Sequence, residues 1–167
     1  MVKVRIEKCR EHARIPFYAR PGDAGMDVCA AEELFLAPGE TGILWTGLKL
    51  AIPEGYEIQV RPRSGLSFNT PLRISNAPGT IDSGYRDELG VIMTNTSPKA
   101  DGVEEETFTV DSKGKRKGIC HIRQGDRIAQ LVLARVPRME LVEVPSVAEF
   151  GSGRGGGFGS TGTGHEV

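Results

Sequence analysis

The stretch Ala77-Pro78-Gly79-Thr80-Ile81-Asp82-Ser83-Gly84-Tyr85-Arg86-Asp87-Glu88-Leu89 organises the reading of the whole chain. Gly79 and the Ser83-Gly84 pair are turn formers, and Leu89-Gly90-Val91-Ile92-Met93 is an apolar run of strand length. The pattern predicts a hairpin with 89–93 as its return leg. Asp82 and Tyr85 stand three apart around the turn. That spacing can aim one carboxylate and one flat apolar ring into the same small cavity, which suits a nucleoside site. The other reading is an Asx-type turn, in which the Asp82 carboxylate caps its own backbone and does nothing more.

The chain around this stretch has 167 residues, enough for one domain with a real core. Its 22 glycines and 10 prolines fall between short apolar segments, so the expected class is all-β, with the strand spacing of a sandwich or jelly roll. A formal net charge of −1 gives no basic field to hold a nucleic-acid backbone, and a polymeric nucleic acid is not an expected partner. Cys9, Cys29 and Cys120 are odd in number and widely spaced, against both a disulfide framework and a paired-cysteine zinc site. No apolar run approaches the length of a membrane span, and the N-terminus has no apolar leader. These features lead to the expectation of a soluble cytoplasmic protein with no membrane partner.

Upstream of the central stretch, Val2, Val4 and Ile6 alternate with Lys3, Arg5 and Glu7, the period of a half-buried strand. Ala24-Gly25-Met26-Asp27-Val28-Cys29-Ala30 is a glycine turn feeding a short strand, with Asp27 either a solvated strand-end carboxylate or a site residue. Trp45 reads as core or subunit contact. Tyr56-Glu57-Ile58-Gln59-Val60 delivers the chain into Arg61-Pro62-Arg63-Ser64-Gly65-Leu66-Ser67. There a guanidinium, a hydroxyl and the exposed amides of a short helical turn could meet a phosphate, unless the segment is simply a solvated arginine-rich turn.

Downstream, about 99–118 is polar, with an acidic leg and a basic tip, and is expected as a solvent-facing hairpin. Gln124-Gly125-Asp126-Arg127-Ile128-Ala129-Gln130 is a turn into a strand continued by Leu131-Val132-Leu133-Ala134, nearly all apolar and therefore expected to be buried on both sides, and its one conspicuous polar side chain, Gln130, must find a hydrogen-bond partner. Residues 139–144 are expected as a last strand. The tail, Gly151-Ser152-Gly153-Arg154-Gly155-Gly156-Gly157-Phe158-Gly159-Ser160-Thr161-Gly162-Thr163-Gly164, reads either as a flexible linker or as a lid. In the second reading its amides and Arg154 meet phosphate while Phe158 stacks on a base. The expected division is a β domain over 1–150 and a flexible arm over 151–167.

Five segments in order resemble the motifs of the homotrimeric dUTPases: 24–28, 63–67, 79–86, 125–131 and 154–162. The resemblance implies a jelly-roll subunit in a trimer. Its active sites are shared between subunits, its substrate is dUTP, and its products are dUMP, which feeds thymidylate synthesis, and pyrophosphate. It further implies Asp82 as the general base for the attacking water and Tyr85 as the wall under the deoxyribose that excludes a 2′-hydroxyl. Asn76, Gly79 and Ile81 are implied as substrate-binding positions of the uracil pocket, and Arg63, Ser64, Gly65 and Gln130 as holders of phosphate oxygens. Asp27 would contact, through water, a Mg²⁺ ion chelated by the triphosphate. Arg154, Ser160 and Thr161 would close on the γ-phosphate, with Phe158 over the uracil and Gly159 beside it. Two departures stand out: Asp87 where the family usually has glycine, and the length of the 99–118 segment. A related group, the dCTP deaminases, uses a glutamate base, and a non-enzymatic nucleotide-binding trimer would lack the base. The arm motif and the Asp82–Tyr85 spacing favour the dUTPases over the first, and the presence of Asp82 counts against the second.

Overall fold

The computed structural model describes residues 1–99, 106–114, 116–153 and 155–156. The chain forms two units, Met1–Pro137 and Arg138–Val167. The first is all-β and jelly-roll-like. One sheet runs in the order β2 (Met26–Cys29), β12 (Arg127–Arg135), β6 (Tyr56–Arg61), β8 (Gly79–Ile81), antiparallel throughout. A second holds β4 (Thr41–Trp45), β9 (Gly90–Asn95) and β7 (Leu72–Ile74). A third holds β10 (Thr107–Thr109), β11 (Ile119–Ile122) and β3 (Leu34–Leu36), and a two-stranded ribbon pairs β1 (Arg5–Lys8) with β5 (Leu48–Ala51).

Period-two alternation decides which side chains meet between the sheets. In β9 the inward set is Val91, Met93 and Asn95; in β11 it is Cys120 and Ile122; in β6 it is Ile58 and Val60. The apolar ones, together with Leu36, Leu44, Leu48, Leu72 and Ile128, form one core. Burying each such aliphatic side chain contributes about 1.5–3 kcal/mol. Cys120 lies within this core, and burial pushes its thiol up to about 12. Among the described residues no helix is long and apolar enough to cross a membrane.

One inward side chain is polar. Asn95 is fully buried; its Nδ2 donates to the Leu36 carbonyl at 2.9 Å and the Gly118 carbonyl at 2.8 Å, and its Oδ1 accepts from the Ser97 amide at 3.0 Å. It therefore ties β9 to β3 and to the residue that enters β11, two different sheets.

Four sequence expectations change. The central stretch is not a hairpin: β8 pairs with β6 and β9 pairs with β4 and β7, so residues 82–89 pass from one sheet to another. The polar segment is not a solvent-facing hairpin either. β10 pairs parallel with β11, and Phe108 is buried between them and the core; residues 100–105 and 115 lie outside the described residues. The strand β12 is buried only over Ile128, Ala129 and Leu131, while Val132, Leu133 and Ala134 are half-buried. In the second unit, 139–144 is not a strand. Met139, Leu141 and Val142 are exposed, and among the described residues of that unit no strand stands beside the segment to complete a ladder. Its only regular piece among the described residues is a short 3-10 turn, Val147–Glu149, capped where Ser146 Oγ accepts from the Ala148 amide.

Asn95→Ala is expected to lower unfolding free energy by about 3 kcal/mol or more, because two buried carbonyls lose their donor and a cavity opens. Chemical denaturation measures it, and a loss within about 0.5 kcal/mol, the range of neutral surface changes, would contradict the staple role.

Candidate active site

The expected site residues fall into two groups, one on each side of β6. The first group gathers on Asp27. Its Oδ1 accepts from Arg63 Nε at 3.0 Å and from Gln130 Nε2 at 3.3 Å, and its Oδ2 accepts from Arg127 Nη1 at 3.0 Å. Arg63 Nη1 also donates to the Arg127 carbonyl at 3.2 Å. The Gln130 amide thus has the partner its place in the strand requires, and Arg63 has an acidic neighbour 36 residues away in sequence.

Sequence reasoning missed Arg127, and the reason is geometric. Strict alternation would put residues 127 and 130 on opposite faces of β12. The ladder between β12 and β2 instead shifts register between Arg127 and Ala129, so that Arg127 opposes Cys29 while Gln130 opposes Asp27. Cys29 and Asp27 share a face, and the bulge brings Arg127 onto it. Two guanidinium groups now face one carboxylate, which leaves surplus positive charge at a surface cluster that can receive an anion. Arg127 and Asp27 also line a cleft of about 300 Å³ with Arg14, Phe17 and Cys29. Burial raises the Cys29 thiol pKa, and the nearby Arg14 and Arg127 charges oppose that rise.

Arg63 is also the N-cap of the helix α1 (Ser64–Asn69). Pro62 precedes the cap, Leu66 is the one buried anchor, and Thr70 ends the helix by returning its amide and its Oγ1 to the Leu66 carbonyl; Pro71 follows. Ser64 and Gly65 are exposed at the start of this helix, beside the Asp27 cluster through Arg63.

The second group lines a pocket of about 170 Å³ where β8 and β9 part. Asn76, Gly79, Ile81 and Tyr85 are all in its wall, with Val60 and Leu89. A Cβ on Gly79 would stand 3.2 Å from Asn76 Nδ2 and 3.4 Å from Val60 Cβ, so the bare glycine lets the asparagine amide close on the strand. The turn beyond is shut by its backbone, the Tyr85 amide donating to the Asp82 carbonyl at 3.1 Å. The Asp82 carboxylate is exposed and, among the described residues, has no hydrogen bond or ion pair. It is not the acceptor of an Asx turn.

Tyr85 is 39% exposed and its Oη donates to the Glu88 carbonyl at 2.8 Å. Partial burial, followed by the charges of Asp87 and Glu88, raises its phenol pKa above the ordinary value. Asp87 itself is exposed. Arg154, Phe158, Gly159, Ser160 and Thr161 lie outside the described residues.

These features define an all-β protein with a small mixed pocket, an unengaged carboxylate one residue along the chain from Ile81 in its wall, and a separate cationic cluster. A family model described as dUTPase matches residues 11–106. The chain is 42% identical over 161 residues to the deoxyuridine 5'-triphosphate nucleotidohydrolase of Thermobifida fusca, an alignment covering 96% of this chain and 79% of that one. It superposes with a TM-score of 0.86 on a mutant dUTPase of Staphylococcus bacteriophage 80alpha solved with dUpNHpp, at 31% identity and covering 96% of this chain and 99% of the other. A mutant dUTPase from phage phi11 of S. aureus, described with a structural Mg(II) ion, gives 0.78 at 32% identity, covering 86% and 97%. The chain belongs to the dUTPase family.

Subtracting the ultraviolet titration of Tyr85→Phe from that of the unmodified protein is expected to isolate a phenol that ionises above about 10, the ordinary tyrosine value. A phenol at or below that value would mean that neither burial nor the two acidic neighbours acts on Tyr85.

Proposed function

We propose that this chain hydrolyses dUTP to dUMP and pyrophosphate in the cytoplasm, at sites shared between the subunits of a homotrimer, lowering dUTP and supplying dUMP for thymidylate synthesis. The observation that carries the reading is the unengaged Asp82 carboxylate, next in the chain to Ile81 in the pocket wall and held apart from the cations around Asp27. Family membership and the dUTP analogue named with the phage 80alpha relative support it.

In this reading the pocket takes the nucleoside. Asn76, Gly79 and Ile81 meet the uracil edge, and the Tyr85 ring lies under the deoxyribose where a 2′-hydroxyl would need room. Asp82 accepts a proton from a water molecule as the water oxygen bonds to the α-phosphorus. The bond from that phosphorus to the oxygen bridging to the β-phosphate breaks, and pyrophosphate leaves with the electron pair. Arg63, Ser64, Gly65 and Gln130 hold phosphate oxygens from another copy of the chain, and charge from the Asp27 cluster favours the negative charge that accumulates there. The arm over 151–167 reaches from the remaining copy, with Arg154, Ser160 and Thr161 on the γ-phosphate and Phe158 and Gly159 over the base.

The family implies Mg²⁺. Among the described residues no group of three His, Cys, Asp or Glu side chains is placed to hold a metal ion, and Asp27 already bonds two guanidinium groups. That donor set does not make a protein cage. It fits an ion carried by the triphosphate, with Asp27 accepting from one of its waters, the mode Mg²⁺ favours. When bound, the ion supplies positive charge to the phosphate oxygens.

Asp82→Asn keeps the shape of the side chain and removes its basicity. Its dUTP dissociation constant is expected to stay near that of the unmodified protein while kcat falls by about 10² to 10⁴. Retention of near-normal turnover in a steady-state assay would remove Asp82 from the reaction.

A further inference from the structure

Tyr85 is fixed by a chain of bonds that begins far from the pocket. Its hydroxyl donates to the Glu88 carbonyl, and the side chain of the same Glu88 accepts from the Gly47 amide at 2.8 Å and from Arg10 Nε at 2.7 Å. Arg10 is in turn held on its other edge by Glu32, through Nη1 at 2.7 Å, and its guanidinium lies 5.9 Å from the centroid of the Trp45 ring. The Glu88 side chain is 18% exposed and those of Arg10 and Glu32 about a third, so the link that touches the Tyr85 turn is its most buried part.

The backbone around this cluster keeps Arg10 in reach. Cys9 donates its amide to the Gly47 carbonyl at 2.8 Å, and Gly47 has φ +71°, with an added Cβ falling 2.6 Å from Ala13 Cβ and 3.0 Å from Arg10 Cβ. Only glycine allows the segment around Arg10 to lie that close to the β4–β5 turn. The arrangement gives Arg10 two carboxylate partners and one aromatic face, and a fixed position from which it holds Glu88.

We propose that Arg10 is a positioning residue for sugar selection, acting through Glu88 to fix the Tyr85 ring against the pocket. The inference rests on Tyr85 facing the deoxyribose. Arg10 meets neither phosphate nor base; it limits how far the 82–88 turn can swing. A looser turn gives the ring room to retreat from a 2′-hydroxyl, so UTP gains relative to dUTP.

The test compares kcat/KM for dUTP and UTP in the full-length protein and in Arg10→Met, Arg10→Lys, Tyr85→Phe and the Arg10→Met/Tyr85→Phe double variant. Arg10→Met is expected to lower the dUTP-over-UTP ratio about 3- to 10-fold, the worth of one partly buried charged contact. The change should lie mainly in KM, with kcat for dUTP less affected. Arg10→Lys recovers part of the ratio, because an ammonium can hold Glu88 without the fork that also reaches Glu32. The double variant should be no less selective than Tyr85→Phe alone, since Arg10 acts through the anchor that variant removes. If Arg10→Met does not fold, Glu88→Gln replaces it: it keeps an oxygen for the Gly47 amide, loses the charge that holds Arg10, and is expected to show the same loss. An unchanged ratio in a folded Arg10→Met or Glu88→Gln, or losses that add in full in the double variant, would overturn the proposal. Tyr85→Ala separates the two claims: if it leaves the ratio unchanged, Tyr85 does not select the sugar and both fall. If it shifts the ratio while Arg10→Met does not, only the role of Arg10 falls.

Discussion

The fixed point of the site is the backbone of Leu89. Its carbonyl accepts from both the amide and the hydroxyl of Thr46, at 3.1 and 2.8 Å, and its amide donates to the Leu48 carbonyl at 2.8 Å; the residue is 3% exposed. At the other end of the same loop Ile81 is buried and pairs with Ile58. Residues 82–88 are therefore stretched between two anchored ends that belong to different sheets, and most of the segment stands out in solvent. A hairpin would have folded Asp82 back over its own return strand. Crossing between sheets leaves its carboxylate unengaged, next in the chain to Ile81 of the pocket wall.

The second half of the site depends on a different local irregularity. One extra residue in β12 brings Arg127 to the face that carries Gln130, and with Arg63 they surround Asp27. A carboxylate with one guanidinium is neutral; with two it carries a surplus that favours phosphate. The N-cap position of Arg63 links that surplus to the exposed start of α1. Both halves thus arise where the regular sheet fails, at a crossing and at a bulge, while the regular strands behind them supply the core.

What the sequence made legible was chemistry carried by near neighbours. The short helical turn after Pro62, the strand bearing Asp27, and the placing of Gly79, Ile81 and Tyr85 in one pocket all depend on residues close together in the chain. Pairing partners were not legible, because alternation says that a residue is in a strand without saying which strand lies beside it. The two-sheet fate of β8 and β9, the parallel pairing of β10 with β11, and the absence of a strand over 139–144 follow from that limit. The grouping of Arg127 with Asp27 was hidden by a bulge that inverts the period, although Arg127 sits three residues before Gln130 in one of the quoted motifs. The Arg10–Glu88 contact joins segments with no shared pattern at all.

Within one chain the pocket and the Asp27 cluster are separate groups, and the proposed site forms only where they and the arm meet from different copies. Co-expression of two inactive chains tests this directly: full-length Asp82→Asn, and a chain with intact Asp82 cut after Gly151. Different tags on the two show whether mixed assemblies form. If base and arm come from different subunits, some sites in a mixed trimer receive an intact Asp82 together with an intact arm, and dUTP hydrolysis reappears. Mixed trimers that co-purify on both tags yet remain as inactive as either parent would contradict the shared site.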